Sequence, residues 1–327
     1  MSHAIRIHEH GGPEVLRYEE VDVGEPGPDE VRLRQTAVGL NYIDVYHRTG
    51  LYPVPQLPSG IGLEAAGEVE AVGANVSDLK QGDRVAYASP PLGAYADSRL
   101  IPADRVVRLP DGIDDRKAAA MMLQGMTVEY LIRRTFPVKK GQTVLFHAAA
   151  GGVGLIACQW LKAIGAKVIG TVGSNEKAEL AKAHGCDHPI VYTREDFVAR
   201  VKEITGGQGV PVVYDGVGKD TWEGSLDCLA PMGMMVSFGN ASGSVTEFNP
   251  GILSQKGSLF LTRPTLMTYT AKRQDLVASA NALFEVVLDG RVKIEVNQTY
   301  PLAEATQAHR DLEARKTTGS TVLLPES

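Results

Sequence analysis

The 327-residue chain predicts an α/β protein: a β-rich first part, then a doubly wound parallel sheet. Three observations carry this expectation. Residues 141–164 read as a strand, a glycine turn and a helix. From 167 to 262, strand-length apolar runs alternate with helical patterns. Before about Lys117 the chain instead shows short period-two runs between glycines and prolines.

In the first part, Val31 to Val38 alternates polar and apolar residues. Gly67 to Gly73 does the same, and Gly82 to Tyr87 reads as a turn entering a strand. The proline-dense segment Gly50 to Gly60 is a loop. Helical pattern begins near Lys117, continues through Thr127 to Arg134 and is ended by Pro137. Thr143 to Ala148 is an apolar strand, followed by Gly151, Gly152 and Gly154. Val153, Ile156, Ala157, Trp160, Leu161 and Ile164 then recur as on the buried face of a helix. Strands follow at Lys167 to Val172, Ile190 to Tyr192, Val212 to Asp215, Met234 to Gly239 and Leu259 to Thr262. Helices are expected at Phe197 to Ile204 and Asp220 to Leu229. Such alternation builds a parallel sheet covered on both faces. The chain closes with helices at 272–289 and Ala303 to Glu313 and a strand at Ser320 to Leu324.

Composition narrows the function. The net charge of −6 comes without a basic block, so no nucleic-acid surface is expected. No apolar run reaches membrane-span length, and the first residues lack the core of a signal peptide. Cys158, Cys186 and Cys228 are far apart and lack zinc-finger or disulfide spacing, which points to small buried residues and a reducing cytoplasm. His8-Glu9-His10 reads as surface, and His147 as a polar neighbour of the core.

A strand, a glycine turn and a helix together form the unit that binds a dinucleotide pyrophosphate. The glycines admit the phosphates, and the helix start offers N–H groups and partial positive charge. NAD-binding units place a carboxylate about 20 residues beyond the glycines, for the ribose 2′-OH. Here that stretch reads Thr171-Val172-Gly173-Ser174-Asn175-Glu176-Lys177, with no carboxylate at the strand end. Gly173 leaves room, while the Ser174 hydroxyl and Lys177 ammonium suit a 2′-phosphate, so NADPH is the expected cofactor. In the competing structural reading Ser174 caps a helix, Lys177 is a solvated charge, and Glu176 opposes the phosphate.

With those residues in hand, the chain resembles the zinc-independent quinone oxidoreductases, the zeta-crystallin-like branch of the medium-chain dehydrogenase/reductase superfamily. The resemblance covers nearly the whole chain. It is carried by Gly141-Gln142, Leu145, Ala149-Ala150-Gly151-Gly152, Gly154, Gln159 and Lys162, and by Asn41 to Tyr46, Gly62 to Gly67 and Gly82 to Val85. It implies a GroES-like catalytic domain from residues 1–125 and 263–327. A Rossmann domain spans 126–262, with the cofactor in the cleft between the domains. It also implies a homodimer joined through the nucleotide domains. Zinc dehydrogenases carry a cysteine at the place of Asn41 and a histidine at the place of Leu63, and neither residue here completes a zinc shell. No metal is therefore expected. Without that Lewis acid, quinones and activated enones are the expected substrates rather than alcohols.

The same resemblance assigns the site. Asn41, Ile43, Asp44 and Tyr46 are placed on the nicotinamide side. Asn41 offers a donor and an acceptor. Tyr46 either donates a proton or shapes a turn, and Asp44 is either a helix cap or a catalytic group. Tyr52 is assigned to the substrate entrance. Thr127 and Tyr130 are placed near the cofactor, Gly152 and Val153 at its pyrophosphate. Gly173, Ser174, Lys177 and Tyr192 are placed at the phosphorylated adenosine. Val217, Phe238, Gly239 and Asn240 border the nicotinamide ribose, with Val217 contributing backbone only. Arg263, Pro264 and Arg315 complete the set. The expected reaction is NADPH-dependent quinone reduction. Its rivals are a 2-alkenal or enone double-bond reductase and, in another class, an NADPH-sensing or RNA-binding protein.

Overall fold

The computed structural model describes residues 2–326. It divides into two compact units. One holds residues up to 126, 270–288 and those from 294 on; the other holds 127–269 and 289–293. The first unit opens with β1 (Ser2–Ile7), β2 (Arg17–Val21), β3 (Glu30–Leu40), β4 (Ser59–Gly60), β5 (Glu64–Val72), β6 (Arg84–Ala88), β7 (Ser98–Pro102) and β8 (Val107–Arg108). Along β3, Val31, Leu33, Gln35 and Ala37 are buried while Arg32, Arg34 and Thr36 are not, the period of a strand with one wet face. Helix α1 (Tyr42–Thr49) follows β3 directly, and α2 (Asp115–Ala119) and α3 (Met122–Tyr130) follow β8.

The second unit alternates strand and helix: β9 (Thr143–Phe146), α4 (Gly152–Ile164), β10 (Lys167–Val172), α5 (Asn175–Ala183), β11 (His188–Val191), α6 (Phe197–Ile204), β12 (Val210–Asp215), α7 (Trp222–Asp227), β13 (Leu229–Ser237), α8 (Gly251–Gln255), β14 (Phe260–Thr262) and α9 (Leu266–Tyr269). All its strands are parallel, in the order β11-β10-β9-β12-β13-β14. The order reverses between β9 and β12, where open α/β sheets take their ligands.

The chain then returns to the first unit through α10 (Arg273–Leu288), β15 (Val296–Pro301), α11 (Ala305–Glu313) and β16 (Ser320–Leu324). β16 pairs with β3 and closes a seven-stranded sheet ordered β15-β16-β3-β5-β6-β8, with β7 also on β3. β1 joins β2 and β4 in a separate three-stranded sheet.

Two expectations shift. The helix expected from Asp220 to Leu229 spans only Trp222–Asp227. Its first residues are held in a turn by Asp215, which accepts from Val217 N (2.8 Å), Gly218 N (3.0 Å) and Thr221 Oγ1 (2.7 Å). At the other end, Leu229 pairs with Val210 in the sheet. The second unit also runs past 262 to Tyr269. The Tyr269 ring stacks on Tyr130 at 4.4 Å, and its hydroxyl accepts from Thr135 Oγ1 at 2.8 Å. Residues 289–293 belong to it as well, because Gln159 and Lys293 exchange two hydrogen bonds of 3.0 and 2.8 Å.

The approach of α4 to the end of β9 depends on Gly154. A Cβ there would lie 2.3 Å from Ala148 O and 2.7 Å from Ala149 Cα. Neither backbone atom can move without opening the turn. Gly154→Ala is expected to destabilise the protein by about 1–3 kcal/mol, the usual cost of overpacking. Denaturant unfolding of the two proteins checks this, and an unchanged midpoint would place α4 farther from β9.

Candidate active site

In the second unit the expected cofactor residues lie just past strand ends. Gly152 and Val153 follow β9, Gly173 and Ser174 follow β10, and Tyr192 follows β11. Val217 follows β12, Phe238 to Asn240 follow β13, and Arg263 with Pro264 follow β14. In a parallel sheet all these ends share one edge. Thr127 and Tyr130 are buried on α3.

At the centre of that edge is the start of α4. Gly151 caps it with no side-chain bond, and its first turn has no acidic residue. The first intrahelical bond runs from Leu155 N to Gly151 O at 2.8 Å. The amides of Gly152, Val153 and Gly154 therefore precede the ladder and have no carbonyl within the helix to meet. Ala148 enters the turn at φ 54°, a left-handed conformation uncommon for a residue with a side chain. Such a terminus fits a pyrophosphate.

At the end of β10, Ser174 caps α5, its Oγ accepting from Lys177 N at 3.3 Å. The capping role considered from the sequence is thus real, and it leaves the hydroxyl proton available. Here that proton meets Glu176, whose carboxyl is held below its usual range chiefly by the Ser174 side chain, with Arg194 adding in the same sense. Arg194 also donates to Asn175 Oδ1. Sequence reasoning missed Arg194, although it stands two residues past Tyr192. Gly173 matters sterically: a Cβ there would sit 3.0 Å from Tyr192 Oη.

Farther along the edge, Phe238 N donates to Asp215 O (2.8 Å) and its ring lies 5.8 Å from Phe146. Arg263 Nη1 donates to Ser237 O at 2.9 Å. With the Asn240 amide oriented to suit its neighbours, its oxygen accepts from Arg263 Nη2 at 3.1 Å. Val217 meets the network through its backbone, donating to Asp215 and accepting from Ser242 N at 2.8 Å. Pro264 is buried. His147 is a core residue, bridging Thr171 Oγ1 (2.8 Å) and Ser225 Oγ (2.9 Å), and burial lowers its pKa.

In the first unit, Asn41 ends β3 and caps α1. Its N–H donates to Asp44 Oδ2 at 2.9 Å, so Asp44 does close the helix start. Asp44 is fully enclosed, and Tyr95 Oη also donates to its Oδ2 at 2.9 Å. Its Oδ1 is buried without a hydrogen-bond partner among the described residues. Arg48 Nη1 lies 3.0 Å from His309 Nδ1 and pairs with Glu313 at 2.9 Å. A guanidinium only donates, so His309 accepts at Nδ1 and carries its proton on Nε2, facing Tyr95 Oη at 3.1 Å. Burial and Arg48 push His309 down to about 3. Tyr46 is buried, and its ring lies 5.1 Å from that of Tyr52. Ile43 is half-buried; Arg315 is exposed at φ 59°.

One residue absent from the expected set dominates this site. Glu64 is fully buried. Its Oε2 accepts from Asn41 Nδ2 at 2.5 Å and its Oε1 from Leu123 N at 2.7 Å. Burial pushes Glu64 up to about 8 and Asp44 up to about 7, against the hydrogen bonds that favour their charged forms. Among the described residues, no group of three or more His, Cys, Asp or Glu is placed to hold a metal ion.

These two carboxyls give stability a direction with pH. Folded, they keep a proton that the unfolded chain releases near 4, so their contribution is full below that and lost as pH rises through about 7 and 8. His309 acts in the opposite sense but below 6.5, outside this window. Thermal melts are expected to fall between about pH 7 and 8 in the wild type and to flatten there in Glu64→Gln. A fall of equal slope in the variant would assign the titration elsewhere.

Comparison with known proteins places the chain. Residues 27–111 match the alcohol dehydrogenase GroES-like domain and residues 152–280 the zinc-binding dehydrogenase domain. The chain is 58% identical over 325 residues to a quinone oxidoreductase of Pseudomonas aeruginosa, covering 99% of this chain and 100% of that protein. A 2-haloacrylate reductase of Burkholderia sp is 48% identical, with 98% of each chain covered. The crystal structure of Escherichia coli quinone oxidoreductase complexed with NADPH superposes with a TM-score of 0.98 at 52% identity, covering 99% of this chain and 100% of that one. With a GroES-like unit, a six-stranded Rossmann sheet and this likeness along its whole length, the chain belongs to the quinone oxidoreductase family.

Proposed function

We propose that this protein reduces quinones with NADPH. The observation that carries the reading is the sheet edge of the second unit: an uncapped α4 start at the switch point, beside a β10 end where Gly173 and Ser174 stand in place of the usual carboxylate and Glu176 is held against Ser174. The likeness to the NADPH-bound Escherichia coli enzyme supports it. When bound, NADPH supplies the hydride. The α4 amides hold the pyrophosphate, and Ser174, Lys177 and Tyr192 hold the phosphorylated ribose. Phe238, Gly239, Asn240 and Arg263 border the nicotinamide ribose. Asn41 hydrogen-bonds the reacting partner, and Tyr46 and Tyr52 wall the quinone. Forming hydroquinone takes one proton beside the hydride, and Tyr46 is the phenol assigned to donate it. The chain's task is mainly to hold both reactants in reacting geometry without water.

The reaction runs without zinc, because Asn41 and Leu63 stand where zinc dehydrogenases have ligands. The protein works in the cytoplasm; no helix among its described residues is long and apolar enough to cross a membrane. It functions as a homodimer joined through the second unit. The sheet supports this, since its edge strand β14 carries Phe260 at 58% exposure, and Met232, on the adjoining strand β13 two residues before Phe260's partner Met234, is 71% exposed. A second reading, reduction of an activated carbon–carbon double bond, is favoured by the 48% identity to 2-haloacrylate reductase.

Initial rates with NADPH against a benzoquinone, a 2-alkenal and 2-chloroacrylate test the reading. The quinone is expected to give the highest kcat/KM, and no quinone turnover would end the proposal. Elemental analysis is expected to show no stoichiometric zinc, with chelators leaving the rate unchanged. Lys177→Ala is expected to weaken NADPH about tenfold or more, the worth of a charged hydrogen bond, and NADH little. Equal losses for both would remove Lys177 from the phosphate.

A further inference from the structure

We infer that Glu64 is a positioning residue for Asn41, fixing which edge of its side-chain amide faces the ligand. The inference rests on the reading in which Asn41 meets cofactor or quinone. The amide is held from both sides. Nδ2 donates to Glu64 Oε2 at 2.5 Å, and Oδ1 accepts from Gln124 Nε2 at 3.2 Å. Gln124 is itself oriented, its Oε1 accepting from Ser320 Oγ at 2.8 Å. Turning the Asn41 amide over would set oxygen against carboxylate oxygen and nitrogen against the Gln124 nitrogen.

A primary amide has two donors and two acceptor sites. These partners use one of each. In the capping box the Asn41 side chain also accepts from the Asp44 backbone N–H, so both acceptor sites are used. One N–H remains, and it can serve a carboxamide oxygen or a quinone carbonyl. Glu64 therefore works on the reaction through Asn41, without touching the reactants.

The fold makes room for this carboxyl. A Cβ at Gly39 would lie 2.3 Å from Glu64 Oε2 and 2.2 Å from Ala119 O. On the other side Leu123 N holds Oε1 at 2.7 Å. The amide of Met122 also faces the carboxyl, as do Asp44 from α1 and the hydroxyls of Tyr87 and Tyr95. Arg99 lies beyond Tyr87, its Nη1 3.3 Å from the Tyr87 hydroxyl. Protonation of Glu64 at Oε2 replaces an acceptor with a donor there. Gln124 still donates to Asn41 Oδ1, so the amide cannot turn over to match; Nδ2 loses its acceptor and the amide is held from one side only.

The test is a double-mutant cycle on quinone reduction with NADPH, using wild type, Asn41→Ala, Glu64→Gln and the double variant, each with a melting curve and a pH–rate profile. Asn41→Ala and Glu64→Gln are each expected to lower kcat/KM about tenfold, with the double variant no worse than Asn41→Ala. The rise of the wild-type profile as Glu64 ionises at about 8 is expected to vanish in Glu64→Gln. Multiplying losses in the double variant, or an unchanged profile, overturn the positioning role while leaving the proposed function standing. Wild-type kinetics in Asn41→Ala overturn the site reading and this inference together. If Glu64→Gln does not fold, Gln124→Met carries the test by releasing Asn41 Oδ1 alone. A several-fold loss of kcat/KM supports the inference, and none overturns it.

Discussion

The second unit depends on backbone meeting backbone where α4 begins. With no β-carbon at Gly154, the first turn of the helix settles against Ala148 and Ala149. Three amides are left aimed past the end of β9, at the point where the strand order reverses. The cost falls on Ala148, held at φ 54°. A side chain at 154 would tilt the helix and scatter the amides, and the neighbouring strand ends would lose the centre they are arranged around.

The first unit solves a different problem. It buries two carboxyls, an arginine and a histidine near one helix, which is costly unless each is paired. Arg48 is matched by Glu313 and His309; His309 meets Tyr95, and Tyr95 meets Asp44. Arg48, near the end of α1, donates to α11, and His309 and Tyr95 then donate back toward the start of α1. The helix carrying Ile43 and Tyr46 is thereby tied at both ends to elements far away in sequence. A helix of eight residues is not stable alone, so its position must come from such contacts.

These two designs differ in how far they could be read from the sequence. Strand, glycine turn and helix are local, and the apolar periodicity after Gly151 marked α4 within a residue of its observed ends. The sheet's strands were legible for the same reason. What escaped was made by distant partners. β1 and β2 lack a clean alternation and form by pairing with each other. Helix α1 is short; Asp44 was legible as a candidate for its cap, and the hydrogen bond from Asn41 N decides it. Glu64 looked like one more residue of a family motif, because nothing local says that its partners are Asn41, 23 positions away, and Leu123, 59 away. Gly39 was a usable clue, a glycine inside a long strand marking close approach.

The contrast with metal-dependent relatives gives Glu64 its meaning. Where a zinc dehydrogenase has cysteine and histidine, this chain has an amide at 41 and an apolar side chain at 63. The acid beside them is fully buried. A buried carboxyl without a basic partner shifts toward its neutral form or gathers hydrogen bonds. Glu64 gathers two, from a main-chain amide and from Asn41. A metal centre orients a substrate by coordination, with geometry set by the ion. Here hydrogen bonds running from Ser320 through Gln124 to Asn41 and Glu64 fix a side-chain amide. An amide so held is suited to present an N–H to a carbonyl or carboxamide oxygen. Acceptors whose reduced oxygen is already stabilised by conjugation, as in the proposed quinone reduction, match that capacity.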